Sequence, residues 1–238
     1  MKIRFTFLFC VFLFSCLFVF PQEYEKNLKI DISSDIVSRY VWRGTNLSES
    51  PAFQPNLALS YRGLLFGSWG SYSFARENLQ EVDLFLTYTI KNLSFTINDY
   101  FNPFDTLGVT GDYFHLKNKT TRHIIEGLVT LNCSKSFPLS LIAGVMLYGN
   151  DKGFNGKNRY STYFELKYTS IVHNIEITPF LGLTPNKGYY GKNFNIVNIG
   201  VKAVKSVEIT DKFKLPLTAN FIVNPEKEMV YLVFGMSF

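Results

Sequence analysis

The side chains that most often do chemistry in enzymes are few in this sequence. Its three histidines, His115, His123 and His173, are not accompanied by the clustered ligands that a metal site needs, and we interpret them as loop or interfacial residues. Gly67-Ser68-Trp69-Gly70 comes close to the Gly-x-Ser-x-Gly turn of many hydrolases but does not match it. We therefore expect no enzyme activity, no metal and no cofactor. A hydrolase assembled from separate strands is the less favoured alternative.

Charged side chains instead recur at every second position within apolar segments. Glu81 and Asp83, for example, flank Val82. Residues two apart share one face of a β-strand, so this pattern separates a polar face from an apolar one. The charged candidates on polar faces are Asp31, Asp35, Arg39, Arg43, Glu81, Asp83, Arg122, Glu126, Glu165, Lys167, Glu176 and Lys202. Such residues can line a water-filled pore and attract solutes, or they can pair with one another inside a plugged barrel. Both interpretations stay open at this point.

Long strands are needed to carry these faces. The alternation predicts twelve of them, at about 29–43, 52–62, 64–75, 80–91, 93–101, 121–133, 138–149, 160–169, 173–184, 193–205, 214–224 and 228–238. Most are at least as long as the ~9–11 residues of a tilted membrane-spanning strand, whereas soluble strands average about five or six. The sequence therefore predicts an all-β fold, a transmembrane antiparallel β-barrel of about twelve strands, with the polar faces lining its lumen. A soluble β-sandwich is the alternative.

The connections between strands support this arrangement. If Arg62-Gly63 and Lys91-Asn92 are two-residue turns, the residues that flank each turn must share a face, and in both cases they fall on the apolar face. Short connections alternate with mostly longer, polar ones near 44–51, 102–120, 150–159 and 185–192, although 206–213 is also expected to be a longer connection. Pro179 lacks an N–H in mid-strand, so we expect a bulge or bend there.

Aromatic residues at the predicted strand ends indicate two interfacial girdles. The external set is Tyr40, Trp42, Phe53 and Tyr148, and the periplasmic set is Tyr61, Tyr88 and Tyr168. Transmembrane barrels place such rings where the lipid headgroups begin.

The first residues indicate export. Lys2 and Arg4 precede an apolar run from Phe5 to Phe20, which is short for a transmembrane helix and suits the core of a signal peptide. We therefore predict a signal peptide at 1–22 and an outer-membrane β-barrel at 23–238, with a retained anchor as the alternative. The formal net charge of +5 includes two basic residues of that leader, and the remaining basic residues are scattered among acidic ones. No nucleic-acid partner is expected.

One segment resembles a known family. Ser38-Arg39-Tyr40-Val41-Trp42-Arg43-Gly44, followed by Ser48, Pro51 and Gln54, is similar to the opening S-x-Y-x-x-R-G and Pro-x-x-Gln pattern of the TorF-type porin family, also called Gcw_chp. Leu65-Phe66-Gly67-Ser68-Trp69-Gly70-Ser71 and Glu81-Val82-Asp83 resemble its third and fourth strands. The likeness is clearest over 34–90, and the downstream half resembles a Bacteroidota-like branch. It implies a porin-type barrel in a Gram-negative outer membrane, with Arg43 and Asp83 at motif positions on the polar face.

These observations lead to an expected function, namely passive passage of small solutes or ions. The alternatives are a closed structural barrel, or one that binds through loop 102–120, and, less favoured, an outer-membrane hydrolase. The expected partners are membrane lipids, small solutes or ions, and the barrel-assembly machinery, which would engage the C-terminal strand ending at Phe238. Whether the barrel forms a homo-oligomer is left open.

Overall fold

The computed structural model describes residues 27–75, 80–103, 111–134 and 136–238. The predicted signal peptide at 1–22 and part of loop 102–120 lie outside these residues. Within them, no helix is long and apolar enough to cross a membrane.

About 70% of the described chain is β-strand. Its strands are β1 Lys29–Val37, β2 Tyr40–Trp42, β3 Thr45–Ser48, β4 Ala52–Tyr61, β5 Leu64–Ser73, β6 Gln80–Ile90, β7 Leu93–Phe101, β8 His123–Ser134, β9 Phe137–Gly149, β10 Thr162–Tyr168, β11 Ser170–Val172, β12 Ile175–Thr184, β13 Asn195–Thr210, β14 Phe213–Asn224 and β15 Met229–Ser237. β2 and β3 form a separate hairpin. β10 and β11 are two parts of one strand, so the described residues form a closed antiparallel barrel of twelve strands. The predicted fold class is confirmed.

The outer face of the barrel is apolar. Leu59 pairs with Phe66, Phe66 with Leu86, and Leu86 with Ile97, so these side chains form one row across four strands. Each is more than a third exposed, and exposed apolar side chains also occur on the remaining wall strands. An exposed apolar belt of this extent is typical of a surface that faces lipid.

The two ends of the barrel differ. The end that holds Lys29 and Ser237, here called the terminal end, has tight turns, and the opposite end, here called the loop end, has the long connections. Tyr61 pairs with Leu64 and Ile90 with Leu93, which confirms the two predicted turns. The expected longer connection at 206–213 is wrong, because β13 and β14 continue as a ladder to a two-residue turn. The predicted strand stopped at 205 because charged residues interrupt the alternation after position 204, whereas β13 continues to Thr210.

The bulge predicted as one alternative at Pro179 is absent. The pairing of Pro179 with Val201 of β13 shows no register shift, so there is no bulge at this position. On the other side, the ladder is interrupted between the Lys167–Phe180 and Ser170–Ile177 pairs, although the register is unchanged across the gap. The missing N–H of proline accounts for this break between β10 and β11.

The first predicted strand, 29–43, is wrong in its second half. β1 ends at Val37, and the chain then forms the β2–β3 hairpin. This hairpin contacts β8 through Arg43 and β14 through Gly44, two strands on different sides of the barrel. Only a segment inside the barrel can reach both walls. Tyr40 and Trp42 therefore belong to the interior and not to an external girdle.

Candidate functional site

The tip of the inserted hairpin is an Arg43-Gly44 turn with positive φ at both residues, 47° and 74°. This is the conformation of a two-residue hairpin turn, which favours glycine. A Cβ on Gly44 would lie 2.0 Å from the carbonyl oxygen of Val197, so only glycine allows the tip to approach β13 this closely. Asn224 Nδ2 donates to the Gly44 carbonyl at 2.8 Å, and Lys227 Nζ donates to Thr45 Oγ1 at 3.0 Å. The tip is thereby fastened to the β13–β15 side of the barrel.

Arg43 reaches from the tip to the opposite wall. Its guanidinium donates to both carboxylate oxygens of Glu126 on β8, at 2.6 Å and 2.9 Å. Glu126 is completely buried and also accepts a hydrogen bond from the Tyr100 hydroxyl at 2.7 Å. Gly144 on the neighbouring strand makes room, since a Cβ there would lie 2.8 Å from Glu126 Oε1. A bidentate pair with further hydrogen bonds is the arrangement that compensates for burying both charges.

Aromatic rings enclose this ion pair. The Arg43 guanidinium lies 4.5 Å from the ring centre of Trp42 and 4.6 Å from that of Tyr163. Tyr190, from the connection between β12 and β13, accepts a hydrogen bond from Arg43 and is itself buried. Met146, Tyr163, Tyr190 and Val197 form a buried cluster around the tip of the hairpin. Cation–π contacts of this kind are strongest where water is excluded.

A second buried cluster lies beside the base of the hairpin. Ile222, Tyr231 and Val233 point inward from β14 and β15, and Val41 of the hairpin packs against them. Arg39 lies over the Tyr231 ring at 5.8 Å from its centre. Together, the two clusters fill much of the interior next to the loop end. We call this region the packed half.

The interior nearer the terminal end is different. Lys202 lies on the same face of β13 as buried Asn198, yet it is exposed. Glu176 and Asp31, which also lie on inward-facing positions, are exposed as well. The other inward positions are mostly hydroxyl and amide side chains, such as Thr87, which is 2.7 Å from Thr96 between their Oγ1 atoms. We call this region the open half.

Glu165 and Lys167 lie between the two halves. Glu165 is buried and accepts hydrogen bonds from the Tyr163 hydroxyl and from Asn198 Nδ2, the latter at 2.9 Å. Lys167 Nζ is 2.8 Å from the second carboxylate oxygen. This acid therefore has a cation beside it, as Glu126 does.

Glu81 and Asp83 differ from Glu126 and Glu165. Both are 7% exposed, and both lie on the inward face of β6. Glu81 accepts a hydrogen bond from Asn102 Nδ2 at 3.4 Å, and Asp83 accepts one from the Phe101 backbone N–H at 3.3 Å. Among the residues that the structure describes, no lysine, arginine or histidine forms an ion pair with either acid. Glu81 lines a cavity of about 220 Å³ between the hairpin and β5–β9.

The remaining sequence-predicted residues take separate positions. Asp35 pairs with Gln54 in the inward-facing register of β1. Arg122 precedes β8, and its guanidinium donates to the Pro103 carbonyl at 3.0 Å. The structure thus brings Arg43 to Glu126 and Lys167 to Glu165, and it places Glu81 and Asp83 close together on the inward face of β6. The sequence interpretation missed the residues that surround Arg43, above all Tyr163, Tyr190 and Asn224.

Two of the three histidines, His115 and His123, have hydrogen-bonding partners. His123 Nδ1 is 2.7 Å from Asp99 Oδ1, and its Nε2 is 2.7 Å from the Tyr113 carbonyl, so the buried ring holds the connection before β8 against the barrel. His115 contacts Thr120, and His173 lies in a turn. Across the described ranges, no group of three potential metal ligands occurs.

The connection between β12 and β13 closes over the hairpin. Glu226, in the turn before β15, accepts hydrogen bonds from the Lys192 backbone N–H at 2.9 Å and from Asn195 Nδ2. These donors hold the pKa of the Glu226 carboxyl below its usual value. Tyr189 and Tyr190 are thereby positioned above Trp42, with ring centres 6.0 Å and 5.8 Å from it.

Comparison with known proteins assigns the chain to no family. No family profile matches the chain, and no curated protein matches it. Among solved structures, the crystal structure of an outer membrane channel from Pseudomonas putida F1 is similar over 92% of this chain and 98% of that one, with 13% identity and a TM-score of 0.42. A likeness at this level carries no inference about function. The resemblance to the TorF-type family stays a prediction.

Proposed function

We propose that the protein is an outer-membrane channel for small solutes or ions, narrowed near the loop end by the β2–β3 hairpin. The observation that carries this proposal is the contrast between the two faces of the wall. The outside is an apolar belt suited to lipid, whereas the inside of the open half holds exposed charges such as Lys202. Charged side chains on the lipid face would cost about 2–4 kcal/mol at the midplane, so their place is a water-filled lumen.

The same belt supports a location in a membrane. A closed barrel satisfies its backbone hydrogen bonds within the wall, and this allows strands to cross a bilayer. Together with the predicted leader at 1–22, the barrel supports an outer-membrane location in a Gram-negative bacterium. The lipids of that membrane would be its immediate partners, and solutes or ions its cargo. Assembly through the strand that ends at Phe238, and the oligomeric state, stay predictions, as does the absence of enzyme activity.

A closed barrel is the second candidate, and the packed half favours it. Two buried clusters and the Arg43–Glu126 pair fill that region. Such a barrel would serve as a scaffold or present its loops without transport.

Conductance separates the two candidates. Purified protein, folded in detergent and added to planar bilayers, should produce discrete current steps above background, and heat-unfolded protein at the same concentration is the control. Steps from the folded protein alone support a channel. Their absence, with insertion verified by protection from protease, would leave the closed barrel.

A further inference from the structure

A cavity next to Glu81 remains beside the inserted hairpin. It lies between the hairpin and the wall formed by β5–β9, on the side away from the Gly44 contact with β13. Its volume of about 220 Å³ is below the roughly 300–1,000 Å³ of pockets for drug-sized ligands, so it suits a smaller molecule. Ser71, Gln80 and Asn102 line it, and all three lie where their strands end at the loop end.

The cavity combines one carboxylate with several aromatic rings. Glu81 supplies the carboxylate, and Tyr40, Trp42, Tyr100 and Tyr189 supply the rings. Aromatic faces attract cations, and the attraction grows when the site is shielded from water. A carboxylate surrounded by such rings is a common way to hold an ammonium group.

Among the described residues, the carboxylate of this cavity has no ion-pair partner. Glu126 pairs with Arg43 and Glu165 pairs with Lys167, but no described cation pairs with Glu81 or with Asp83 two residues away. The contacts of Glu81 are with Asn102 and Tyr40, which are neutral donors. A buried carboxylate without a cation is costly, and a bound cation would remove much of that cost.

We propose that this cavity binds a small organic ammonium ion, with Glu81 as the counter-ion and the surrounding rings as walls. The site holds a solute at the loop end of the barrel, and this binding does not depend on whether the barrel conducts. Trp42 lines the site and Trp69 lies 5.5 Å from Tyr40 between ring centres. Since these are the two tryptophans of the chain, their fluorescence should report binding.

The test compares choline with 3,3-dimethylbutan-1-ol, which has the same shape without the charge. Each is titrated into the folded full-length mature protein in detergent, with calorimetry and tryptophan fluorescence as the measurements. Choline should bind saturably and at least about tenfold more tightly than the alcohol, because only the cation can pair with Glu81. Equal affinity for the two, or no saturable heat with choline, would overturn the proposal.

Variants of Glu81 and Asn102 test whether choline binds in this cavity. Glu81→Gln keeps the shape and should weaken choline binding by about tenfold or more, whereas the matched control Glu176→Gln, an exposed acid of the open half, should leave it within about twofold. If Glu81→Gln does not fold, Asn102→Lys offers a second test, since its ammonium group beside Glu81 should abolish choline binding in a folded barrel. Unchanged binding in a folded Glu81→Gln or Asn102→Lys variant contradicts the assignment.

Discussion

The two halves of the lumen differ in how they treat charge. In the packed half, Glu126 is fully buried and Arg43 is only 11% exposed, and aromatic rings enclose their bidentate pair. In the open half, Lys202 and Glu176 lie on the same inner wall but stay exposed. The packed half differs because the inserted hairpin meets large inward side chains of the wall, such as Tyr163 and Tyr231, and Tyr190 of the β12–β13 connection. Together these segments turn a polar pore lining into a protein interior.

The largest effect is expected from the buried ion pair. Arg43→Ala leaves Glu126 buried without its cation, and this should lower the free energy of unfolding by about 3–5 kcal/mol. Lys202→Ala removes an exposed charge and should change it by no more than about 0.5 kcal/mol. Urea unfolding in detergent, followed by tryptophan fluorescence, measures both variants.

Replacing both Arg43 and Glu126 by methionine sharpens the same comparison. Because an apolar pair of similar size avoids the unpaired charge, the double variant should recover most of the loss. Equal stability of Arg43→Ala and Lys202→Ala would mean that the two halves do not differ as described.

The next effect concerns the tip of the hairpin. Gly44→Ala adds the strain of positive φ to a clash with the Val197 carbonyl, and it should destabilise the barrel by about 2–5 kcal/mol. Gly156 has a similar φ of 71° but open space around its Cβ position, so Gly156→Ala should cost only about 1–2 kcal/mol. The same unfolding assay applies, and matching losses for the two variants would argue against a tip seated on β13.

A smaller effect is expected in the wall of the open half. Thr87→Val removes the hydroxyl contact with Thr96 at 2.7 Å but keeps the shape of the side chain. Cross-strand pairs of this kind contribute about 0.2–1 kcal/mol, so the loss of unfolding free energy should stay within that range. A loss above about 2 kcal/mol would indicate that this region is packed after all.

The smallest effect should appear in ion selectivity. Lys202→Glu reverses an exposed charge on the inner wall, and it should shift the cation-to-anion permeability ratio roughly twofold toward cations. Lys212→Glu, in the turn at the terminal end, is the matched control outside the lumen and should shift it less. Reversal potentials in a salt gradient measure both. An unchanged value for Lys202→Glu would remove this residue from the conduction path.

Much of the barrel was predictable, because lipid outside and water inside impose alternation on every strand. The alternation and the Arg62-Gly63 turn gave strand positions close to those observed. The inserted hairpin was missed, although Arg43-Gly44 repeats the same dipeptide and has nearly the same φ values. Tyr40 and Trp42 continue the alternation of β1, so periodicity alone could not show that the chain had left the wall.

The partners of Arg43 were beyond prediction for a related reason. Glu126 and Tyr190 lie 83 and 147 residues away in the chain, and only the closure of the barrel brings them together. The alternation placed Glu126 on the polar face of its strand, but it could not identify the cation that pairs with it. Tyr190 lies in a connection between strands, where the alternation of polar and apolar residues does not indicate which way a side chain points. The one visible signal was the length of the predicted strand 29–43, well beyond the ~9–11 residues needed to span a bilayer.

Removal of the hairpin tests the central claim most directly. Val37 pairs with Ala52, so a short Gly-Ser turn can join β1 to β4 in place of residues 39–50 and leave the twelve-stranded wall intact. If the hairpin narrows the lumen, the single-channel conductance of this variant in planar bilayers should exceed that of the full chain by several-fold, because the path then widens at the loop end. Equal conductance of the two folded proteins would contradict the account.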